Sequence, residues 1–255
     1  MILIDHQTVS GIPFLHIVKE ENRDRPAPLV FFIHGFTSAK EHNLHFAYLL
    51  AEKGFRAVLP EALYHGERAE QLSAEELAVH FWDIVLNEIE ELDVLKKDFE
   101  ARGLIEDGRI GLAGTSMGGI TTFGAMAAYD WVKAGVSLMG SPNYTAFFQQ
   151  QIDHIQKQDI DIDVTKEQVD ELFARLKPFD LSLEPEKLRS RPLLFWHGVQ
   201  DKVVPYAPTR GFYETIKPHY SSRPDHLQFL KDERADHKVP RYAVLETVAW
   251  FDKHL

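Results

Sequence analysis

The chain has 255 residues, of which 44% are hydrophobic, and this is enough to bury one sizeable core. We therefore expect a single domain over residues 1–255. Its 28 basic and 39 acidic residues give a formal charge of −11, which repels phosphate backbones and anionic lipid headgroups. Neither nucleic acid nor a membrane is an expected partner.

Two further absences in the sequence narrow the chemistry and the compartment. There is no cysteine, which excludes disulfides and a cysteine nucleophile and fits a reducing cytosol. Residues 1–6 lack the basic segment and apolar core of a signal peptide, and no stretch approaches 18 apolar residues. We expect a cytoplasmic protein.

Short apolar runs rich in β-branched residues alternate with longer periodic segments, a pattern typical of a mostly parallel sheet flanked by helices. Segments 1–9 and 12–18 meet at Ser10-Gly11 and predict an N-terminal antiparallel hairpin. Buried strands are predicted to follow at Leu29–Ile33, Arg56–Leu59, Arg109–Ala113, Gly135–Leu138, Leu193–Trp196 and Gln228–Leu230.

Two segments between these strands carry helix signals. Ser73 and Glu76 form a capping-box pattern, and the apolar spacing from Leu77 to Leu95 predicts one long helix that runs toward Arg102-Gly103. Residues 141–190 interrupt the strand–helix alternation with a Gln-rich run, the acidic stretch Asp159–Asp163 and a helix capped by Thr165 and Gln168. We expect residues 141–190 to be a small inserted cap, with an edge helix pair as the open alternative.

The candidate nucleophile is Ser116, in the sequence Gly-Thr-Ser-Met-Gly at 114–118. A bare G-x-S-x-G occurs by chance in roughly one chain in ten of this length, so the motif alone is weak. Its position strengthens it, because it lies between a predicted strand and a predicted helix, where a tight turn projects the serine Oγ clear of the backbone. Glycines on both sides allow that turn.

The sequence also predicts two backbone amides for an oxyanion hole. One is that of Met117, at the N-terminus of the helix after Ser116, where anions are favoured. The other is that of Phe36, in the turn His34-Gly35-Phe36 after the strand Leu29–Ile33. His34 itself is expected to brace this loop rather than to act as the base.

The base and the acid are expected late in the chain, in the order serine, acid, histidine. Asp201 follows the strand Leu193–Trp196 and His237 follows Gln228–Leu230, so both lie beyond carboxyl ends of strands. Residues 139–143 contain no carboxylate, which favours Asp201, while Asp236 and Asp232 remain weaker alternatives. His237 is expected to accept the Ser116 proton and Asp201 to orient the imidazole.

No cofactor and no metal ion are predicted. His42 and His45 lie three positions apart on a predicted helix, but no further Asp, Glu or His completes a ligand set beside them. They are expected to be surface or packing residues.

With these motifs together, the chain resembles the α/β-hydrolase superfamily over its full length. The stretch from His197 to Pro205 is most similar to single-domain esterases related to prolyl oligopeptidases and dienelactone hydrolases. The resemblance implies an ester-cleaving enzyme. Dienelactone hydrolases use a cysteine nucleophile, which is absent here, and oligopeptidases carry a propeller for which this chain has no room, so neither specific activity is carried over.

The resemblance also implies that the loop at residues 60–68 borders the active site. Tyr64 and His65 in this loop, and Tyr144, Phe147 and Phe148 at the start of the insertion, are candidates for substrate contact. Packing and loop stabilisation are equally open for these residues.

We expect a serine hydrolase that cleaves a small carboxylic ester through an acyl-enzyme. A small serine peptidase or amidase with the same triad is the enzymatic alternative. A binding protein that kept the scaffold without its chemistry is the alternative from another class. The sequence predicts neither the natural substrate nor the oligomeric state.

Overall fold

A computed structural model describes residues 1–157 and 165–255. Its centre is an eight-stranded sheet in the order β1-β2-β4-β3-β5-β6-β7-β8, in which β1 and β2 are antiparallel to their neighbours and all other pairs are parallel. The strands are β1 Ile2–Val9, β2 Ile12–Lys19, β3 Ala27–Ile33, β4 Arg56–Pro60, β5 Ile105–Thr115, β6 Ala134–Leu138, β7 Leu193–Gly198 and β8 Leu227–Asp232. The predicted mostly parallel sheet and its N-terminal hairpin are confirmed.

Helices cover both faces of this sheet. They are α1 Leu44–Glu52, α2 Ala74–Val79, α3 Phe81–Ala101, α4 Met117–Ala128, α5 Tyr144–Lys157, α6 Lys166–Leu176, α7 Tyr206–Ile216 and α8 Arg241–His254. On one face, α3, α4 and α7 share a buried apolar cluster with Leu29, Phe31 and Ile33 of β3, and on the other, α1 and α8 share a second cluster with Val30 and Phe32. Strand β3 is buried on both sides, because its successive side chains point to opposite faces of the sheet and helices cover both faces. This burial explains its continuous apolar sequence.

The segment predicted as one long helix consists of two. The Ser73–Glu76 capping box begins α2, which ends at His80, where the backbone amide bonds the carbonyl of Leu77 three residues back. None of the side chains of α2 is buried, whereas α3 buries nine. Only α3 therefore has the apolar face that holds a helix against the sheet.

The insertion at residues 141–190 contributes α5 and α6, and the predicted Thr165–Gln168 capping box begins α6. The carboxylate of Asp180 accepts bonds from the backbone amide and the hydroxyl of Thr145, at 2.8 and 2.6 Å, which ties α5 to the end of the insertion. The stretch Asp159–Asp163 lies outside the described residues. Within the described ranges, no helix is long and apolar enough to span a membrane.

Candidate active site

Ser116 lies at the turn between β5 and α4 with a positive φ of 57°, a strained conformation for a residue with a side chain. The turn is possible because of its glycines. A Cβ on Gly118 would lie 2.2 Å from the Ile33 carbonyl oxygen, and one on Gly114 would lie 2.2 Å from the carbonyl oxygen of Gly118. The close approach of α4 to β3 and β5 thus requires glycine at both positions.

Ser116, His237 and Asp201 form a continuous line of hydrogen bonds. The Nε2 atom of His237 lies 2.7 Å from Ser116 Oγ, and its Nδ1 atom lies 2.7 Å from Asp201 Oδ2. Because an ionised carboxylate can only accept, Nδ1 carries the proton and Nε2 is free to accept from the serine hydroxyl. The loops after β7 and β8 bring these residues together across 121 positions of sequence.

The Asp201 carboxylate is held in its ionised form. Its Oδ1 accepts bonds from the amides of Val203 and Val204, at 2.9 and 3.0 Å. Burial alone raises the pKa of this carboxyl, but hydrogen bonds from His197 and His237 outweigh burial and bring the pKa well below its usual range. The His197 bond is the weaker of the two, because its Nε2 lies 3.4 Å from Asp201 Oδ2 and donates mainly to the Val204 carbonyl at 2.9 Å.

The competing carboxylates occupy other positions. Asp232 Oδ1 accepts bonds from the amides of Arg234 and Ala235, at 3.0 and 3.2 Å, and so shapes the loop that carries His237. Asp236 is exposed. Within the described residues, the His237 ring pairs with Asp201.

The loop after β3 lies directly against the serine turn. A Cβ on Gly35 would lie 3.2 Å from the carbonyl oxygen of Thr115 and 3.5 Å from the Ser116 Cβ. Phe36 is the next residue in the chain after this close contact. Met117 is the first residue of α4, and its amide therefore has no partner within the helix. Both amides that the sequence nominates for an oxyanion hole lie on segments next to Ser116.

Two histidines brace the loop that carries Phe36. His34 is fully buried; its Nδ1 bonds the Gly35 carbonyl at 2.8 Å and its Nε2 accepts from the amide of Ala62 at 3.1 Å. His65 is buried as well, with Nδ1 donating to the Leu63 carbonyl at 2.7 Å and Nε2 accepting from the amide of Thr37 at 2.9 Å. Both nitrogens of His65 are used by the backbone, so this residue joins the loop at 60–68 to the loop after β3.

A buried charge cluster beneath this junction was missed in the sequence. The Lys40 ammonium, fully buried, contacts Glu61 Oε2 at 2.7 Å and Glu41 at 2.8 Å, and also Glu67. Burial raises the pKa of the Glu61 carboxyl, but the neighbouring His34 ring and the Lys40 ammonium outweigh burial and lower it to about 2. A glutamate directly after the buried strand β4 is the one sequence signal of this cluster.

The remaining pocket candidates differ in their surroundings. Tyr144 is fully buried, and its hydroxyl donates to the Ile120 carbonyl at 2.6 Å and accepts from the amide of Gly124 at 3.1 Å, so it packs against α4. The Tyr64 ring is half-buried and lies 5.0 Å from that of His80. Phe148 packs against Phe173 of α6, with ring centroids 4.8 Å apart.

Phe147 borders a small cavity on the same edge of the sheet as Ser116. The walls of this cavity come from the chain after β6, from α5 and from the chain after Asp201. The lining residues are Ser141, Asn143, Ala146, Phe147, Gln150, Pro205 and Pro208.

Comparisons with known proteins identify the family and the fold of the chain. Residues 87–255 match the model of the prolyl oligopeptidase family, Peptidase_S9. The chain is 74% identical to "Putative esterase YitV" of Bacillus subtilis strain 168 and 30% identical to "Esterase YjfP" of Escherichia coli K12, in each case over the whole of both chains. The crystal structure of TT1662 from Thermus thermophilus is 24% identical, with a TM-score of 0.75 over 99% of each chain. The chain therefore belongs to the prolyl oligopeptidase family and has the α/β-hydrolase fold.

Proposed function

We propose that this protein hydrolyses carboxylic esters through an acyl-enzyme formed on Ser116. The observation that carries the proposal is the hydrogen-bonded line from Asp201 through His237 to Ser116, with both bonds at 2.7 Å. The names of the two full-length relatives, both of which call them esterases, support ester rather than amide chemistry.

Each residue of the line has one role in this reaction. His237 Nε2 accepts the hydroxyl proton as Ser116 Oγ attacks the ester carbonyl carbon, and ionised Asp201 stabilises the imidazolium that forms. The amides of Phe36 and Met117 donate to the oxyanion of the tetrahedral intermediate. His237 then protonates the departing alcohol, and a water molecule releases the acyl group by the same steps in reverse.

We infer that residues 1–255 form one hydrolase domain in which residues 141–190 are a cap bordering the substrate. Tyr64 and Phe147 remain candidates for substrate contact, because both rings are only half-buried. His65 and Tyr144 instead stabilise the fold, since their polar atoms are hydrogen-bonded to backbone groups.

The test is Ser116→Ala, assayed with p-nitrophenyl acetate and butyrate and with a fluorophosphonate probe. The variant is expected to lose about 10⁵-fold or more in kcat, because removal of one triad residue disables the whole triad. It should also remain unlabelled by the probe. Ser222→Ala, at an exposed serine, is the matched control and should behave as wild type. Near-wild-type ester hydrolysis by folded Ser116→Ala would refute the proposal.

Peptide or amide hydrolysis is a second candidate, favoured by the description of the matching family as prolyl oligopeptidases. An amide leaving group is poorer and depends more strongly on proton transfer from His237. A p-nitrophenyl ester and a p-nitroanilide with the same acyl group separate the two. Faster turnover of the anilide would make the protein an amidase.

A further inference from the structure

Three side chains able to bind a metal ion meet at the edge of the sheet remote from Ser116. Asp225 and His226 lie in the turn that precedes β8, and His254 is the last residue of α8. The carboxyl end of β8 leads toward His237, so its amino end lies at the opposite edge. One potential ligand atom from each of the three residues lies within 4.8 Å of the other two.

His254 has an unpartnered nitrogen at this position. Its Nε2 is shielded from solvent and has no hydrogen-bond partner among the residues that the structure describes. Buried polar nitrogens are normally bonded, so such an atom calls for a ligand.

His226 is oriented as metal-binding histidines are. Its Nδ1 lies 3.0 Å from the carbonyl oxygen of Ser190, to which it donates. The neutral ring then keeps its lone pair on Nε2. A backbone carbonyl on the other ring nitrogen is the usual outer partner of a histidine ligand, because it selects the tautomer and fixes the ring.

Asp225 supplies the negative charge, and Lys253 competes for it. The Asp225 side chain is 58% exposed and its Oδ2 lies 3.4 Å from the Lys253 ammonium. Ligands at about 2.0–2.2 Å from a tetrahedral zinc ion lie about 3.5 Å apart. The three atoms lie within 4.8 Å of one another and so need at most about 1.3 Å of closure. Rotation of the exposed Asp225 carboxylate away from Lys253 supplies its share of this movement.

We propose that Asp225, His226 and His254 bind a divalent transition-metal ion, for which Zn²⁺ is the best match. Two imidazole nitrogens and one carboxylate oxygen suit Zn²⁺ and disfavour Ca²⁺ and Mg²⁺, which take oxygen ligands. Water fills the fourth position. The ion joins the end of α8 to the turn before β8, so its role is structural.

The acidic cluster of Glu41, Glu61 and Glu67 provides a contrast. Its carboxylates also approach one another within 4.8 Å, but the Lys40 ammonium already lies between them, at 2.7 Å from Glu61 and 2.8 Å from Glu41. A metal ion there would have to displace a fully buried ammonium. At Asp225 the competing lysine is solvent-exposed and can move away.

The test uses the full chain, stripped with EDTA and titrated with ZnCl₂ by calorimetry and with CoCl₂ by visible absorption. Wild type is expected to bind one ion with a four-coordinate Co²⁺ spectrum. His254→Gln and Asp225→Asn should each weaken binding at least 10-fold, whereas Lys253→Gln should strengthen it because the competing ammonium is gone. His219→Gln, at an exposed histidine, is the matched control and should bind as wild type.

Two results would overturn the proposal. One is the absence of binding to wild type at 100 μM Zn²⁺. The other is equal zinc affinity of wild type and His254→Gln, which would place the ion elsewhere. If His254→Gln does not fold, Lys253→Gln decides, since unchanged affinity in that variant contradicts a site at Asp225.

Discussion

Glu88 on α3 is a buried carboxyl that makes stability depend on pH. It is fully buried; its Oε2 accepts from the Thr121 hydroxyl at 2.9 Å, and its Oε1 has no partner among the described residues. The same hydroxyl lies 3.1 Å from the Met117 carbonyl, and it has a single hydrogen for two acceptors. A protonated Glu88 resolves this conflict, because it donates to Thr121 and frees that hydroxyl for Met117.

The size of the effect follows from the pKa. Burial raises the pKa of Glu88 from 4.5 to about 7. A folded pKa above the unfolded one means that the unfolded state releases its proton first, so this group lowers the free energy of unfolding as pH rises. At roughly 1.4 kcal/mol per pKa unit, the loss of stability is about 1 kcal/mol at pH 5 and about 3 kcal/mol at pH 8.

Glu88→Gln tests this, since the amide nitrogen donates to Thr121 as the protonated acid does, and it cannot ionise. Urea unfolding should show that the variant gains about 2 kcal/mol in free energy of unfolding relative to wild type between pH 5 and pH 8. Glu90→Gln, at an exposed glutamate of the same helix, is the control and should show no such gain. A difference between Glu88→Gln and wild type that is the same at both pH values would refute the reasoning.

Four other substitutions have defined outcomes. Asp201→Asn should lower kcat about 10⁴-fold in the ester assay with folding intact, because an amide no longer selects the required imidazole tautomer. Gly118→Ala should lower the melting temperature by more than 10 °C or prevent folding, because its Cβ would lie 2.2 Å from a backbone oxygen. In contrast, a Cβ on Gly211 would have no atom within 4 Å, so Gly211→Ala should stabilise α7 by up to about 1 kcal/mol in thermal unfolding. His65→Leu should lower kcat about 10-fold with little change in KM, because the Thr37 amide loses its acceptor and the oxyanion loop loosens. Unchanged kcat in that variant would exclude the bracing role.

Much of the fold was readable from local patterns. The run Leu29–Ile33 indicated a doubly covered strand, and Ser73 and Thr165 marked helix starts that the structure confirms. Such signals depend on neighbours within a few positions, through side-chain alternation or bonds to the first helical amides. The break at His80 was not predicted from these local signals. It arises because α3 packs into the core and the adjacent α2 does not.

The sequence predicted Ser116, Asp201 and His237 as the triad from their order along the chain and from the position of each after a strand. It did not predict the distances between them. Their convergence depends on strand order, since β7 must lie beside β6 and β8 beside β7 for their loops to reach the turn at Ser116. Other features also depend on segments far apart in sequence. They are the hydrogen bond from the Thr37 amide to His65, the burial of Lys40 against Glu61 and the burial of Tyr144. Periodicity and turn chemistry act over a few residues and so could be read directly, whereas burial and pairing are set only when distant segments pack.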